Sequence, residues 1–177
     1  VGWSIKNGVI ILIFRDWHPL ASKHFIKWPV HSVADTTGSE LHDGLVIPKN
    51  HVTHFYKGTL PEEDGHSGWE GHNDHGEMLE KFMREIIEKI MNEFAGQFDE
   101  VKIEIYHSGL ATDFCVGDTV FGSLDFGKRW SNEDPERRKV VCYLLIDTVR
   151  AVNLNIGDGD KAIEKMRMAG AVIATTK

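Results

Sequence analysis

The chain alternates short apolar runs with amphipathic stretches, an order that predicts strands and helices following one another. Residues 9–14 form a continuous apolar run, which is typical of a strand buried on both faces of a parallel sheet. Further strands are predicted at residues 52–56, 101–106, 140–146 and 171–175. Residues 15–50 are instead rich in His, Pro, Gly and Asp, and this composition predicts a long loop.

Three stretches carry apolar residues at helical spacing. The first runs from Met78 to Phe94, the second begins at Cys115, and the third covers residues 158–169. Residues 58–76 and 131–139 are predicted loops between these elements. Strands that alternate with helices predict the α/β class, as a three-layer α/β/α arrangement around a mostly parallel sheet. We expect one domain over residues 1–177.

Composition narrows the class of protein further. A chain of 177 residues that is 41% hydrophobic is long enough to bury a sizeable core. Its formal net charge of −7 argues against a nucleic acid or an anionic membrane as partner. Its two cysteines provide no disulfide framework and suit a reducing compartment, so we expect a cytoplasmic protein.

Cys115 stands where a predicted helix begins, just after the predicted strand 101–106. A thiol there lies near unpaired backbone N–H groups and the positive end of the helix dipole, which stabilise a thiolate. The alternative is a small buried side chain with no chemical role. Cys142 lies inside the apolar strand 140–146, where a buried neutral thiol is expected. We therefore predict that Cys115 is the reactive cysteine.

A group of histidines and one carboxylate follows the first predicted strand. Asp16 and His18 are two positions apart, so in an extended segment their side chains face the same way. They lie at the carboxyl end of the strand, where open α/β sheets place their binding sites. His24 and His31 can fold back to the same point, and such ligands suit Zn²⁺, Fe²⁺ or Mn²⁺. The alternative is that these loop histidines are simply solvated.

Several motifs, read in order, resemble one known family. They are RDWHP, WPVHSVADTTGSELH, YKGT, DGHSGWEG, SGLATDFCVGDTV, DTVRAVN and MRMAGA. Together they resemble the nicotinamidase (pyrazinamidase) branch of the isochorismatase-like cysteine hydrolases. The resemblance implies an α/β domain that hydrolyses nicotinamide to nicotinate and ammonia, a step in NAD salvage.

The resemblance also implies catalytic roles for particular residues. Cys115 matches the nucleophile, which forms a thioester with the substrate, and Lys57 matches the catalytic lysine that holds the thiol as thiolate. The bond between Leu110 and Ala111 matches a non-proline cis peptide, and Leu110 matches a substrate contact. The backbone N–H groups of Ala111 and Cys115 match the oxyanion hole.

The ligand residues are implied in the same way. Asp16, His18 and His31 match metal ligands, and His24 matches a fourth ligand that only some members of the family have. Trp28 matches an aromatic residue that packs on the pyridine ring. The resemblance implies one divalent metal, zinc before iron or manganese, that binds the pyridine nitrogen of nicotinamide. It leaves a homo-oligomer open.

The sequence departs from the family at the general base. The family places this Asp in a Val-Asp-x-Gln-x-Asp-Phe run of its first strand, and no residue here matches it. Asp113 lies close to Cys115, but it belongs to the ATDFC motif. We therefore expect that the chain begins after this strand and hydrolyses nicotinamide weakly or not at all by itself.

Two alternatives to a nicotinamidase stay open at this point. The first is a metal-binding protein of the same fold that has lost catalysis together with the base. The second is a related cysteine amidohydrolase that acts on another small amide. The predicted metal ligands argue against the second alternative, because many such relatives lack them.

Overall fold

The computed structural model describes residues 9–45, 47, 52–95 and 99–177. It divides into two compact units, one of Val1–Gly65 with Glu70–Leu79 and the other of His66–Trp69 with Glu80–Lys177. The regular elements, in chain order, are β1 (Ile11–Asp16), β2 (Val52–Lys57), β3 (His72–Asn73), α1 (Leu79–Glu93), β4 (Val101–Leu110), α2 (Cys115–Glu133), β5 (Arg138–Arg150), α3 (Asp158–Met168) and β6 (Val172–Ala174). Short 3-10 turns occur at Lys23–Ile26, Thr37–Ser39 and Gly68–Glu70.

The first unit is built on the three-stranded sheet β1-β2-β3. β1 and β2 are parallel, and their register runs from Ile11 opposite Val52 to Asp16 opposite Lys57. β3 pairs with β2 in the antiparallel sense. Because parallel strands reach their carboxyl ends at the same edge, the last residues of β1 and β2 lie side by side there.

The loop after β1 is held in place by backbone hydrogen bonds. The Trp17 N–H donates to the Lys57 carbonyl at 3.0 Å, so the chain stays beside β2 for one further residue. The His18 N–H donates to Ser32 at 3.0 Å, and the Ala34 N–H donates to the His18 carbonyl at 2.8 Å. The returning part of the loop therefore runs alongside His18.

The second unit packs its helices on the parallel sheet β4-β5-β6. One apolar cluster contains Phe126 and Trp130 of α2, with partly buried side chains from α1 and β4 around them. A second cluster joins Val120 of α2 to Leu144 of β5 and Met166 of α3. No helix in the described ranges is long and apolar enough to cross a membrane.

The order of the predicted strands and helices is confirmed, but β3 lies within the predicted loop 58–76, and β4 continues past the predicted residue 106 to Leu110. The ends of α2 and β5 also differ from the prediction. α2 continues to Glu133, into the predicted loop, because Trp130 is buried and Glu133 pairs with Arg84 and Arg138. β5 extends at both ends beyond the predicted residues 140–146, since it stays paired with the long strand β4.

The α/β class is confirmed by the helices and parallel strands. One central sheet was the expectation, whereas the described residues form two sheets of three strands each. The sheets are separate because no strand pair connects them in the part of the chain that the structure describes. There, β1 pairs only with β2, and β4 pairs only with β5. The expectation of one domain over residues 1–177 stays a prediction.

His107 of β4 is a buried polar residue of the second unit and is 8% exposed. Its Nδ1 lies 3.0 Å from the Tyr143 carbonyl oxygen, and its Nε2 lies 2.8 Å from the Ser123 hydroxyl. The same hydroxyl accepts a hydrogen bond of 3.0 Å from the Trp69 indole. Burial lowers the pKa of His107 below its ordinary value, so the folded protein holds this imidazole neutral.

The low pKa of His107 predicts a loss of stability in acid. An unfolded histidine takes up a proton near pH 6.5, whereas the folded His107 does not. The contribution of His107 to the free energy of unfolding should therefore be fully present above this pH. It should fall as the pH decreases below it, by at most about 1.4 kcal/mol per pH unit. Urea unfolding between pH 7.5 and 5 should show a smaller loss for His107→Gln than for the wild type.

The exposed His42 provides the control, since His42→Gln should keep the wild-type dependence on pH. The same pH dependence in His107→Gln and in the wild type would contradict the assignment.

Candidate metal centre and reactive cysteine

Three histidines of the first unit converge on one point. His18 directly follows the end of β1, His24 lies in the 3-10 turn, and His31 precedes the returning strand-like segment. One ring nitrogen from each lies within 4.8 Å of the others. The rings of His18 and His24 are stacked, with centroids 4.3 Å apart and planes inclined by 15°.

The second nitrogen of each ring has an oxygen acceptor. His18 Nδ1 lies 3.0 Å from the Gly58 carbonyl, and His31 Nδ1 lies 2.7 Å from the Pro29 carbonyl. His24 Nδ1 lies 3.4 Å from a carboxylate oxygen of Asp64. Carbonyl and carboxylate oxygens only accept, so these contacts place the hydrogen on Nδ1 and leave the Nε2 lone pairs for a metal.

His18 fits a ligand role most clearly. Its side chain is 1% exposed, and its Nε2 is buried without a hydrogen-bond partner among the described residues. Burial is the largest cause that lowers the pKa of His18, and this favours the neutral imidazole that metals bind. A buried lone pair with no donor is costly, and a cation would satisfy it. The three-histidine set therefore fits a zinc site that keeps an open position.

Asp16 and Lys57 meet at the ends of β1 and β2. The Lys57 ammonium donates a short hydrogen bond to the Asp16 carboxylate and another, of 2.6 Å, to the Gly65 carbonyl. The same Asp16 oxygen lies 3.9 Å from His18 Nε2. The ammonium of Lys57 and the imidazole of His18 thus both approach the carboxylate of Asp16. This carboxylate therefore lies at the border of the histidine cluster.

Two glycines allow His18 to pack this closely. Gly58 has φ +64°, and a Cβ there would lie 2.4 Å from His18 Cε1. Gly65 has φ +62°, and a Cβ there would lie 2.3 Å from the Gly58 nitrogen. A side chain at either position would displace the loop that carries the acceptor of His18.

Trp28 lies next to the histidines. Its backbone N–H donates to the His24 carbonyl at 3.1 Å, and its ring faces that of His24 at a centroid distance of 6.1 Å and an angle of 20°. The half-buried indole therefore borders the cluster, as expected for a residue that packs on a flat ligand. Its contact with a substrate stays a prediction.

The predicted cysteine site belongs to the second unit. Cys115 is half-buried and is the first residue of α2, as the sequence predicts. The peptide bond between Leu110 and Ala111 is cis, as the resemblance implies. The Ala111 carbonyl accepts hydrogen bonds from Phe114 at 3.1 Å and Val116 at 3.0 Å, so it holds the first turn of the helix.

Asp113 has a structural role that the sequence did not reveal. One of its carboxylate oxygens accepts from the Val152 N–H at 2.9 Å, and the other accepts from the Asn153 N–H at 2.8 Å. The Thr112 N–H also donates to the Arg150 carbonyl at 3.0 Å. These bonds fasten the segment before Cys115 to the end of β5.

The sequence also missed the acceptors of the histidines. Asp64, Gly58 and Pro29 carry no metal-ligand pattern, because two of them act through backbone carbonyls and the third through an imidazole. A local signal exists for all three, because Asp64, Gly58 and Pro29 lie within the quoted motifs DGHSGWEG, YKGT and WPVHSVADTTGSELH, respectively.

No family model matches the chain, but comparisons with individual known proteins find similar ones. The nicotinamidase of Escherichia coli strain K12 is 26% identical over 198 residues, which cover 99% of this chain and 79% of that protein. The crystal structure of the pyrazinamidase of Pyrococcus horikoshii in complex with zinc matches with a TM-score of 0.73 at 27% identity, over 99% of this chain and 80% of that one.

An isochorismatase-like hydrolase from Alkaliphilus metalliredigens has a TM-score of 0.59 at 16% identity, over 94% of this chain and 69% of that one, and shows the fold alone. The chain therefore shares the fold of an isochorismatase-like hydrolase. Within that superfamily the chain is similar to nicotinamidases over nearly its whole length, which confirms the resemblance of its motifs.

The two thiols should differ in reactivity. Desolvation raises the pKa of Cys142 to about 11, and its side chain is 2% exposed. Cys115 lies at the start of a helix and is half-buried, so an alkylating reagent should label it first at pH 6.5–7.5. Iodoacetamide labelling followed by peptide mass spectrometry measures both rates.

Labelling of the folded protein should fall to background in Cys115→Ser. The labelling rate at Cys115 should stay unchanged in Cys142→Ser. Faster labelling of Cys142 in the folded protein would show that the assignment is wrong.

Proposed function

We propose that this protein is a metal-dependent nicotinamidase, which hydrolyses nicotinamide to nicotinate and ammonia. The observation that carries the proposal is the convergence of His18, His24 and His31 around a buried nitrogen that lacks a partner among the described residues. Similarity to a nicotinamidase and to a zinc-bound pyrazinamidase supports it. Nicotinamide would then be the small-molecule partner, and we place the reaction in NAD salvage in the cytoplasm.

The metal would be held by the three imidazoles, with Asp16 as an additional oxygen ligand at the border of the cluster. Nitrogen donors with an open position suit zinc best, and Fe²⁺ and Mn²⁺ are the alternatives. When bound, such a cation supplies a Lewis-acid contact for the pyridine nitrogen of nicotinamide. Asp16 would have to share its carboxylate between this role and the ion pair with Lys57.

We assign the nucleophile to Cys115. Its thiolate adds to the amide carbon, a C–S bond forms, and the carbonyl oxygen takes the negative charge. Collapse of this intermediate breaks the C–N bond, and the leaving nitrogen accepts a proton and departs as ammonia. Water then attacks the thioester, the C–S bond breaks, and nicotinate leaves while the thiol is restored.

The remaining predicted residues support these steps. The N–H groups of Ala111 and Cys115 would stabilise the oxyanion, and the cationic head of Lys57 would favour the thiolate. Trp28 would pack against the pyridine ring, and Leu110 would contact the substrate. Each of these roles comes from the resemblance of the motifs.

Proton transfer is a further requirement of the proposed reaction. Loss of a general acid–base typically slows a reaction by ~10²–10⁴-fold. Asp113 is the carboxylate nearest to Cys115 in the sequence, but both of its oxygens accept hydrogen bonds from backbone N–H groups. We therefore propose that Asp113 is not the general base of this reaction.

Metal binding is the first test. Protein loaded with zinc and then dialysed should retain one equivalent by mass spectrometry of the metal, and the double variant His18→Ala/His31→Ala should retain none, because two of its three imidazoles are gone. His42→Ala removes an exposed histidine of the same unit and should keep the metal. Stoichiometric zinc in the double variant would place the site elsewhere.

The second test concerns the nucleophile. Nicotinaldehyde, the aldehyde analogue of the substrate, has no leaving group, so a thiol adduct forms on it without proton transfer to a departing nitrogen. The wild type and Cys142→Ala should bind it as a reversible adduct, whereas Cys115→Ala should not. The release of ammonia from nicotinamide should disappear in the same variant.

Ammonia release that persists in Cys115→Ala would overturn the nucleophile assignment. If the wild type neither binds nicotinaldehyde nor releases ammonia, the proposed activity itself is wrong, whatever the metal content.

A further inference from the structure

Asp64 joins the histidine cluster to a surface lysine. One carboxylate oxygen lies 3.4 Å from His24 Nδ1, and the other accepts a hydrogen bond of 2.8 Å from the Lys27 ammonium. Asp64 thus reaches the 3-10 turn at two points, His24 inside it and Lys27 just after it. Its contact with the imidazole is made on the side of the ring opposite to the nitrogen that would face a metal.

His24 differs from the other two histidines in the nature of its acceptor. His18 and His31 are oriented by the backbone carbonyls of Gly58 and Pro29, which persist whatever the side chain. The Nδ1 of His24 faces a carboxylate instead. This contact of 3.4 Å is longer than those of His18 and His31, but a carboxylate acceptor makes the opposite nitrogen of a ligating imidazole a stronger donor to a metal.

The position of Asp64 is set by its neighbour in the chain. Gly65 packs directly on Gly58, and its carbonyl accepts from the buried ammonium of Lys57. The loop that carries Asp64 is therefore fastened to the edge of the sheet where His18 also lies. This attachment gives the carboxylate a defined location rather than that of a free surface side chain.

The exposed half of the contact adds little to stability. The side chains of Asp64 and Lys27 are 44% and 66% exposed, and ion pairs in water contribute weakly to folding. The contact of Asp64 with His24 is more buried, because the His24 side chain is 5% exposed. Removal of the carboxylate should therefore alter the orientation of one imidazole more than the stability of the fold.

We infer that Asp64 is a positioning residue of the metal centre, which orients His24 and strengthens its Nε2 as a ligand through the hydrogen bond to Nδ1. This inference rests on the proposed function, because it presupposes that the histidines bind a metal. Asp64 contacts the imidazole and not the cation.

Zinc affinity, measured by competition with a chromophoric chelator, tests the inference. Asp64→Ala should weaken zinc binding about 10-fold or more, the usual effect of losing such an acceptor. Asp64→Asn should recover most of this affinity, because its amide oxygen accepts the same N–H. Glu62→Ala is the matched control, since Glu62 lies in the same loop and pairs at 2.7 Å with Lys23, the residue before His24, without contact to an imidazole.

Cobalt replaces zinc for the spectroscopic readout. The visible bands of the Co²⁺ protein report the ligand geometry, so they should change in Asp64→Ala and stay as in the wild type in Asp64→Asn and Glu62→Ala. The melting temperatures of the metal-free Asp64→Ala and Glu62→Ala proteins should agree, which separates orientation of a ligand from stability of the fold.

The outcomes distinguish the two proposals. If the wild type binds no zinc, or binds it equally without His18 and His31, the proposed function fails. If the wild type binds zinc through the histidines and Asp64→Ala binds it within 2-fold of Glu62→Ala, only the positioning role fails. An equal loss in Asp64→Asn and Asp64→Ala would also overturn the orienting role, because the amide oxygen of Asn accepts the same N–H.

Discussion

The parallel pairing of β1 with β2 is the contact on which the candidate metal centre depends. It sets Asp16 opposite Lys57, so both strands end at one edge, and the chain leaves each of them there. His18 follows β1 and Gly58 follows β2. The imidazole of His18 therefore packs against the backbone of Gly58. A shift of one residue in the register would turn Asp16 to the opposite face and remove this arrangement.

The histidine cluster is held together by acceptors that each direct one ring. With every Nδ1 engaged by an oxygen, the opposite nitrogens keep their lone pairs, and one ring nitrogen from each histidine lies within 4.8 Å of the others. Two of the three imidazoles are buried, and an unpartnered lone pair in a buried position is unfavourable. A bound cation would accept this lone pair and so offset the unfavourable burial. This is the physical basis for the proposed metal.

The Cys115 thiol is positioned by hydrogen bonds of the segment that precedes α2. α2 begins at Cys115 because the preceding segment is fastened on both sides, by the Ala111 carbonyl within the turn and by the Asp113 carboxylate to the end of β5. The carboxylate nearest to the cysteine in sequence is therefore a structural clamp. This explains why proximity along the chain is a poor guide to the catalytic base.

The sequence by itself determined the order of strands and helices, the α/β class, the helix start at Cys115 and the candidate histidines, because apolar periodicity and motif spacing are local properties. It did not reveal that α2 continues through residues 131–133, since the charge pairs of Glu133 come from other elements. Nor did it reveal that Asp64 faces His24 or that Lys57 meets Asp16, because these partners are 40 and 41 residues apart. Only the tertiary structure decided which oxygen faces each imidazole, since strand register and loop closure, not local pattern, bring distant side chains within hydrogen-bonding distance.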